Sequence, residues 1–265
     1  MSYKLLALDI DGTLVNDNRE VTPAVRKAIH RAVDAGVTVL LATGRMYKAM
    51  TGIHAELGLT TPCMCYGGAQ IVTDGEIIYE RPVDPLMTYE LMNWCHDRGI
   101  FYQVYQGSDL CYEKECSFSI DYCDYFEIEG VEIPELRHRK DIRTPKILVI
   151  DEIPKVKEYE QLVRATYGDR LQISVSKPIY LELNNPTATK GNALDFLCKR
   201  LGITSAECIA VGDATLDLPM IEFSGMGIAM ANADDFTKSR SDYICPSNEE
   251  DGVAHVIDRF IFGEE

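Results

Sequence analysis

Short apolar runs alternate with amphipathic helical stretches over much of this chain. The runs with the continuous apolar character of buried strands are Leu5–Leu8, Val37–Ala42, Ile209–Val211, Gly227–Met230 and Tyr243–Cys245. Between them, apolar residues recur three and four positions apart, which is the spacing of one helix face. One such helix has its apolar face at Val25, Ala28, Ile29 and Ala32. Continuous apolar strands separated by helices predict a parallel sheet covered on both faces.

The middle of the chain has a different pattern. Phe101–Tyr105 and Ile179–Leu183 alternate apolar with more polar residues, as half-exposed strands do. Further strands are predicted at Lys146–Ile150 and Leu171–Val175, and helices near 85–97, 115–125 and 154–167. We therefore predict an α/β protein with a parallel-sheet core at residues 1–83 and 188–265, and an inserted α+β domain with a one-sided sheet at 84–187. The acidic segment Asp121–Glu135 is expected to be a solvated surface of the insert.

Polar residues follow three of the apolar runs at the point where each run ends. They are Asp9, Asp11, Gly12 and Thr13 after the first, Thr43, Gly44 and Arg45 after the second, and Gly212, Asp213 and Asp217 after the third. Ligands of open α/β sheets bind beyond the carboxyl ends of the strands, so we expect these residues to meet on one rim. Aspartate and glycine are also common in ordinary loops, but their coincidence at all three ends disfavours that interpretation.

Asp9 and Asp11 indicate a metal site. Side chains at positions i and i+2 of an extended backbone share a face, and two carboxylates that close repel unless a cation or a proton lies between them. Two distinct carboxylates also suggest two chemical roles. Lys190 and Gly191 open a predicted helix, where a lysine has the wrong charge for the helix dipole. The mismatch disappears if Lys190 and the free amides grip a phosphate, and the alternative is a lysine that reaches solvent.

Charge and cysteine usage narrow the possible partners. The 265 residues carry a formal net charge of −16, which disfavours binding to nucleic acid and to anionic membranes. The 9 cysteines form no Cys-x-x-Cys pair, so we expect reduced thiols and disfavour a zinc site. No apolar run approaches the roughly 18–20 residues of a membrane helix. We expect no signal peptide, because the first apolar strand follows residues 1–4 directly. We expect a cytoplasmic protein, and the sequence does not indicate its oligomeric state.

The residues at the strand ends resemble the four motifs of the haloacid dehalogenase superfamily. The matching motifs are Asp9-Ile10-Asp11-Gly12-Thr13, Thr43-Gly44-Arg45, Lys190-Gly191 and Gly212-Asp213-x-x-x-Asp217. Asp217–Met220, Gly227–Ala233 and Ser247–Ala254 are similar to the Cof-type (subfamily IIB) phosphatases of this superfamily. The resemblance implies a Rossmann-like core with a mobile cap that supplies substrate specificity. It also implies Mg²⁺-dependent hydrolysis of small phosphorylated metabolites, with sugar phosphates as the expected class.

The resemblance also implies a role for each matching residue. Asp9 would attack phosphorus to form an aspartyl-phosphate, and Asp11 would protonate the leaving alkoxide and then deprotonate the water that releases phosphate. Mg²⁺ would be held by Asp9, the carbonyl oxygen of Asp11 and Asp213, with Asp217 behind them, orienting metal-bound water or Lys190. The groups expected to hold the phosphoryl oxygens are the amides of Ile10, Gly12 and Gly44, the hydroxyl of Thr43 and the ammonium of Lys190.

Two positions depart from the Cof-type pattern. Leu216 stands where an asparagine usually contacts phosphate, and Gly67 stands where an Asn-Gly-Ala triplet usually has its asparagine. Neither change touches the expected nucleophile, acid/base or metal ligands, but a slower enzyme or a different substrate pose would be consistent with them. Two alternatives stay open: a phosphotransferase or phosphomutase with the same nucleophile, and a non-catalytic protein that binds a phosphorylated metabolite.

Overall fold

A computed structural model of the chain describes residues 3–264. Its contacts divide it into two compact units. The first unit comprises the residues up to 45, residues 50–79 and the residues from 189 onward, and the second comprises residues 46–49 and 80–188. Within the described residues, no helix is both long and apolar enough to cross a membrane.

The strands and helices follow one another along the whole chain. The strands are β1 (Leu5–Leu8), β2 (Thr38–Ala42), β3 (Cys63–Cys65), β4 (Gln70–Thr73), β5 (Glu76–Glu80), β6 (Tyr102–Gln106), β7 (Asp109–Tyr112), β8 (Gly130–Glu132), β9 (Lys146–Ile150), β10 (Gln172–Lys177), β11 (Tyr180–Asn184), β12 (Cys208–Gly212), β13 (Met226–Met230) and β14 (Tyr243–Cys245). The helices are α1 (Pro23–Asp34), α2 (Thr51–Glu56), α3 (Pro85–His96), α4 (Ser117–Phe126), α5 (Ile153–Tyr167), α6 (Lys190–Leu201), α7 (Leu218–Phe223), α8 (Asp235–Ser239) and α9 (Gly252–Ile257).

The first unit is built on a sheet with the strand order β14-β13-β12-β1-β2-β3-β4-β5. The pairs from β14 through β3 are all parallel, and β4 runs antiparallel to β3. Every residue of β1 and β12 is buried, as expected for central strands covered on both faces. The predicted parallel-sheet core is therefore confirmed.

Helix α6 is delimited by local signals at both ends. Thr189 caps it, because its side-chain oxygen accepts the amide hydrogen of Asn192 at 3.1 Å. Gly202 ends it in a left-handed conformation with φ of 68°. Leu194 and Leu197 lie in the core of the first unit. Their burial fixes which face of α6 points inward, and Lys190 is the first residue of this helix.

The second unit contains a sheet with the order β10-β11-β9-β6-β7-β8, in which only β7 and β8 pair in parallel among the described strands. The expectation of half-exposed strands is wrong here. All five residues of Tyr180–Asn184 are buried, including Glu182 and Asn184. Burial of these polar groups is possible because each has a hydrogen-bond partner: the ammonium of Lys146 donates to Glu182 Oε1 at 3.0 Å, and the side-chain amide of Asn184 donates to the carbonyl oxygen of Pro145 at 3.4 Å. The segment predicted as solvated surface also contains β8.

Candidate active site

The strand order of the first sheet places three loops side by side. β1 lies between β2 and β12 and is parallel to both, so the carboxyl ends of three neighbouring strands meet at one edge. The strand that follows β1 in the chain, β2, lies on one side of it, and β12 lies on the other side. The direction in which strands are added to the sheet therefore changes at β1, and α/β sheets bind ligands at such a switch point. Asp9 follows β1, Thr43 follows β2 and Asp213 follows β12. The structure therefore places the three predicted loops at one edge of the sheet.

Three carboxylates meet at this edge. Asp9, Asp213 and Asp217 each offer an oxygen, and these oxygens lie within 4.8 Å of one another. Asp9 is 6% exposed and Asp217 is 1% exposed. The fully buried ammonium of Lys190 donates to Asp9 Oδ1 at 2.6 Å, to the carbonyl oxygen of Ala42 at 2.8 Å, and to Asp217 Oδ1. The lysine is thus enclosed by the site, and the alternative of a solvent-exposed lysine is wrong.

The surroundings of these carboxylates disfavour their ionised forms and so raise their pKa values. Burial, and then the charge of Asp217, raises the pKa of Asp9 well above its ordinary value, although Lys190 opposes this shift. Burial, again followed by Asp217, raises the pKa of Asp213 to about 7. Burial alone would lower the pKa of Lys190, but the charges of Asp217 and Asp9 outweigh it, so that pKa lies above its ordinary value. One lysine does not compensate the mutual repulsion of three carboxylates, of which Asp9 and Asp217 are buried and Asp213 is half-buried.

The charges and the ligand atoms of this cluster fit a divalent cation. With every group ionised, three carboxylates and one ammonium leave an excess of two negative charges. Carboxylate oxygens are the ligands that Mg²⁺ and other hard cations prefer, and the cluster contains none of the cysteine or histidine ligands that zinc favours. The residues present therefore suit the Mg²⁺ that the motifs led us to expect.

Hydrogen bonds fix the loops that carry the cluster. Asp217 Oδ2 accepts the amide hydrogens of Asp213 at 3.1 Å and of Ala214 at 3.0 Å, which closes the loop after β12. The hydroxyl of Thr13 donates to Asp213 Oδ1 at 3.1 Å. Gly12 has φ of +80°, and a Cβ at this position would lie 2.5 Å from Asp213 Oδ2. Glycine is therefore required where the two loops approach each other.

Asp11 directs its carboxylate elsewhere. Arg45 donates from Nε to Asp11 Oδ2 at 2.8 Å and from Nη2 to Asp11 Oδ1 at 2.6 Å, so the pair is bidentate. The Arg45 side chain is buried, whereas that of Asp11 is 42% exposed. The side chain of Asp11 therefore does not join the metal-ligand cluster, and its environment is wetter than that of Asp9. This separation of the two carboxylates is compatible with their two expected roles.

The other residues expected to hold phosphate lie on the loops after β1 and β2, except for Lys190 at the start of α6. Ile10 is fully buried, which anchors the turn between Asp9 and Gly12. The hydroxyl of Thr43 accepts the amide hydrogen of Arg45 at 3.1 Å, and Gly44 lies between these two residues. Lys190 differs from expectation, because its three N–H donors all bond to oxygens of the protein. In this structure it holds carboxylates in place, and contact with a phosphoryl oxygen would require it to exchange a partner.

Two asparagines support the site without having been assigned a role. The side-chain amide of Asn232 donates to the carbonyl oxygen of Gly12 at 2.8 Å. Asn248 donates from its backbone to Asn232 Oδ1 at 3.2 Å and from its side chain to the carbonyl oxygen of Val15 at 3.1 Å. Asn232 follows β13 and Asn248 follows β14, so a search for polar residues after every apolar run would have found both.

Comparison with known proteins gives a consistent result. A sequence profile of haloacid dehalogenase-like hydrolases matches residues 6–257. The chain is 31% identical to the 5-amino-6-(5-phospho-D-ribitylamino)uracil phosphatase YcsE of Bacillus subtilis, over 98% of this chain and 97% of that protein. It is 27% identical to the phosphatase YwpJ of the same organism, over 96% of this chain and 98% of that protein.

A solved structure is similar to this chain over nearly its whole length. A haloacid dehalogenase-like hydrolase from Bacteroides thetaiotaomicron superposes with a TM-score of 0.88 at 28% identity. The match covers 97% of this chain and 99% of the other. The similarity therefore includes both units and is not confined to the motifs of the rim.

Proposed function

The chain belongs to the haloacid dehalogenase-like hydrolases, and we propose that, like the phosphatases it resembles, it is a Mg²⁺-dependent phosphatase of small phosphorylated metabolites. Sugar phosphates are the first class of substrate we propose. The observation that carries this proposal is the cluster of Asp9, Asp213 and Asp217, whose oxygens lie within 4.8 Å of one another. Two of the three carboxylates, Asp9 and Asp217, pair with the same lysine. A cytoplasmic location and a specificity role for residues 84–187 remain predictions.

In this proposal, the carboxylates of Asp9 and Asp213 and the carbonyl oxygen of Asp11 would hold the cation, and Asp217 would stand behind them. When bound, Mg²⁺ supplies positive charge that offsets the repulsion among these groups and the charge of the transferring phosphoryl group. Asp217 cannot turn freely toward a ligand, because its two oxygens are occupied by Lys190 and by the amides of its own loop. Its role is to hold the lysine and the loop in place.

Asp9 is the proposed nucleophile. One of its oxygens attacks phosphorus, the new oxygen–phosphorus bond replaces the ester bond, and the product is an aspartyl-phosphate with release of the alcohol. Lys190 holds Asp9 Oδ1 at 2.6 Å and thereby fixes the direction of the carboxylate. Water then attacks the same phosphorus, and the aspartate is regenerated as phosphate leaves.

Asp11 is the proposed proton donor and acceptor. It gives a proton to the leaving alkoxide in the first step and takes one from the attacking water in the second. The bidentate pair with Arg45 stabilises the ionised form of Asp11, which is the form that the second step uses. For the first step, Asp11 must be protonated, so its carboxyl has to loosen from Arg45 before or as the alcohol leaves.

The phosphoryl oxygens are held by groups on the loops after β1 and β2 and by the first residue of α6. The proposed donors are the amides of Ile10, Gly12 and Gly44, the hydroxyl of Thr43 and the ammonium of Lys190. The amides and the hydroxyl are fixed on their loops and stabilise the charge of the transferring group without having to reorganise. Lys190 must first release one of its three partners in the protein. The burial of Thr43 and the anchored turn at Ile10 are the features of the structure that support such a rigid arrangement.

The test is release of inorganic phosphate from a panel of sugar, nucleotide and cofactor phosphates, with Mg²⁺ and with EDTA. We expect release only with Mg²⁺, and a loss of at least about a thousandfold in the Asp9→Asn variant, which keeps the size of the side chain. Asp34→Asn, at an exposed carboxylate near the end of α1, is the matched control and should retain activity.

The same panel separates the two alternatives. Conversion of one hexose phosphate into another without free phosphate would favour a phosphomutase. Tight binding of a phosphorylated metabolite with no turnover in Mg²⁺ would favour a non-catalytic binding protein. Phosphate release by Asp9→Asn at more than about a thousandth of the wild-type rate would contradict the nucleophilic role.

A further inference from the structure

A turn at residues 10–15 links the proposed nucleophile, Asp9, to the rest of its loop. The backbone amides of residues 13, 14 and 15 all donate to the carbonyl oxygen of Ile10, at 3.4, 3.0 and 3.1 Å. The carbonyl oxygen of Gly12 accepts its hydrogen bond from outside the turn, from Asn232 Nδ2 at 2.8 Å. A residue 220 positions further along the chain therefore holds the middle of this turn.

Gly12 joins two peptide groups that have different tasks. The peptide between Asp11 and Gly12 carries the carbonyl proposed to bind the metal and the amide proposed to hold a phosphoryl oxygen. Because a peptide group is planar, this carbonyl and this amide cannot be turned independently of each other. The next peptide, between Gly12 and Thr13, carries the carbonyl that Asn232 holds. Only the φ and ψ angles of Gly12 relate the direction of the first peptide to that of the second.

The glycine at this position makes a constraint from outside necessary. Gly12 has φ of +80°, and a Cβ there would lie 2.5 Å from Asp213 Oδ2, so no other residue fits. Glycine is also the residue that permits the widest range of backbone conformations. The residue that the close approach requires is thus the one least able to fix its own peptide groups. The hydrogen bond from Asn232 to its carbonyl oxygen supplies that restriction.

A second asparagine fixes which end of the Asn232 amide faces Gly12. The backbone amide of Asn248 donates to Asn232 Oδ1 at 3.2 Å, so the oxygen faces a donor and the nitrogen faces the carbonyl. The buried side chain of Asn248 also donates to the carbonyl oxygen of Val15 at 3.1 Å. The middle and the end of the turn are therefore bonded to the segments that follow β13 and β14, two strands of the same sheet as β1.

We propose that Asn232 is a positioning residue of the proposed reaction. By holding the carbonyl oxygen of Gly12, it fixes the peptide that carries the Asp11 carbonyl and the Gly12 amide. Asn248 assists by orienting the Asn232 amide. The carboxylates of Asp9 and Asp213 do not depend on this bond, so its loss should weaken Mg²⁺ binding without abolishing it. This inference rests on the proposed phosphatase function and adds a residue to that same site.

Calorimetric titration with Mg²⁺, in the absence of substrate, is the first measurement. Asn232 is exposed, so Asn232→Ala removes the donor with little loss of packing. It should weaken Mg²⁺ binding by about 10–100-fold, the usual effect of losing a group that holds a metal ligand in place. Asn232→Asp keeps the shape of the side chain but sets an acceptor against the carbonyl of Gly12. Its added negative charge alone would strengthen Mg²⁺ binding, whereas positioning predicts weaker binding, as in Asn232→Ala.

Asn93→Ala is the matched control. The side-chain amide of Asn93, in α3 of the second unit, also donates to backbone carbonyl oxygens, those of Tyr89 at 2.8 Å and Arg137 at 3.1 Å. Its loss should lower the temperature of unfolding but leave the affinity for Mg²⁺ unchanged. Kinetics at saturating Mg²⁺ give a second readout. Asn232→Ala should lower kcat for the best substrate of the panel by about tenfold and change KM less, because a displaced donor costs most in the transition state.

Three results would overturn the inference. One is an affinity for Mg²⁺ in Asn232→Ala or Asn232→Asp that equals or exceeds that of the wild type. Another is an equal loss of affinity in Asn93→Ala, which would indicate general destabilisation. The third is an unchanged kcat of Asn232→Ala at saturating Mg²⁺, which would contradict the positioning of the Gly12 amide. Thermal unfolding in EDTA checks that each variant is folded, and Asn232→Asp, which keeps the size of the side chain, decides if the alanine variant does not fold. If the wild type releases phosphate and the Asn232 variants match it, this inference alone fails, whereas no phosphate release by the wild type from any substrate refutes the proposed function.

Discussion

Replacing Asp213 by asparagine should stabilise the metal-free protein and abolish its response to Mg²⁺. Asp213 shares its cluster with two other carboxylates, and burial, followed by the charge of Asp217, raises its pKa from 3.8 to about 7. An amide of the same shape removes one of the three negative charges. The hydroxyl of Thr13 can still donate to the amide oxygen, so the loop after β12 keeps this contact.

The size of the effect follows from the pKa shift. Each pKa unit corresponds to about 1.4 kcal/mol, so a rise from 3.8 to about 7 means that ionised Asp213 costs the metal-free protein about 4 kcal/mol. Below about pH 4 the carboxyl is protonated in the folded and unfolded states, and the variant has no advantage from this source. Between about pH 4 and 7 only the unfolded state loses its proton, so the wild type becomes progressively less stable than Asp213→Asn. Above that range the difference is constant.

Urea unfolding of the wild type, Asp213→Asn and the exposed control Asp34→Asn, at pH 5 and pH 8, tests both parts. In EDTA, the free energy of unfolding of Asp213→Asn should exceed that of the wild type, by less at pH 5 than at pH 8. Mg²⁺ at about a hundred times its Kd should add about 2.7 kcal/mol to the wild type and the control, but little to Asp213→Asn. The reasoning is refuted if Asp213→Asn is the less stable protein in EDTA, or if Mg²⁺ stabilises all three proteins equally.

Three further changes have defined outcomes. Lys190→Met should destabilise the metal-free protein by about 3–5 kcal/mol, because two buried carboxylates lose their counter-charge. Urea unfolding in EDTA measures this loss. A change below about 1 kcal/mol would contradict a stabilising role of the ion pairs. Gly12→Ala should weaken Mg²⁺ binding by about 10–100-fold in calorimetric titration, since its Cβ would meet the Asp213 carboxylate, and unchanged affinity would argue against Asp213 as a ligand. Arg45→Lys should lower kcat by roughly 10–100-fold and affect KM less, because lysine cannot hold both oxygens of Asp11. Steady-state kinetics measure both constants, and a rise of KM with an unchanged kcat would contradict this prediction.

The sheet and its rim were predictable because they depend on patterns that are local in sequence. β1 and β9 match the predicted strands residue for residue, since apolar runs bounded by polar residues mark buried strands. The convergence of Asp9, Thr43 and Asp213 followed from one rule about the carboxyl ends of parallel strands. It needed no knowledge of distances.

These local patterns could not predict which side chains pair with one another. The choice of Arg45 as the partner of Asp11, and the use of all three donors of Lys190 within the protein, depend on the relative position of loops far apart in sequence. The buried polar face of the second sheet was missed for a similar reason. Alternation of polar and apolar residues predicts exposure unless the polar groups find partners across strands, as Lys146 and Glu182 do.

The most direct test of the account is to look for the phosphoryl group on Asp9. The Asp11→Asn variant is mixed with Mg²⁺ and p-nitrophenyl phosphate, whose leaving group departs without a proton from Asp11, so that the aspartyl-phosphate forms and only its hydrolysis is slow. The reaction is quenched in acid and digested with pepsin at acid pH, where an acyl phosphate survives. Mass spectrometry of the peptide that contains residues 5–14 should then show the mass gain of one phosphoryl group, located on Asp9 and absent in EDTA. Turnover of substrate by the wild type, together with an unmodified Asp9 in this trapping experiment or a phosphoryl group on another residue, would contradict the account.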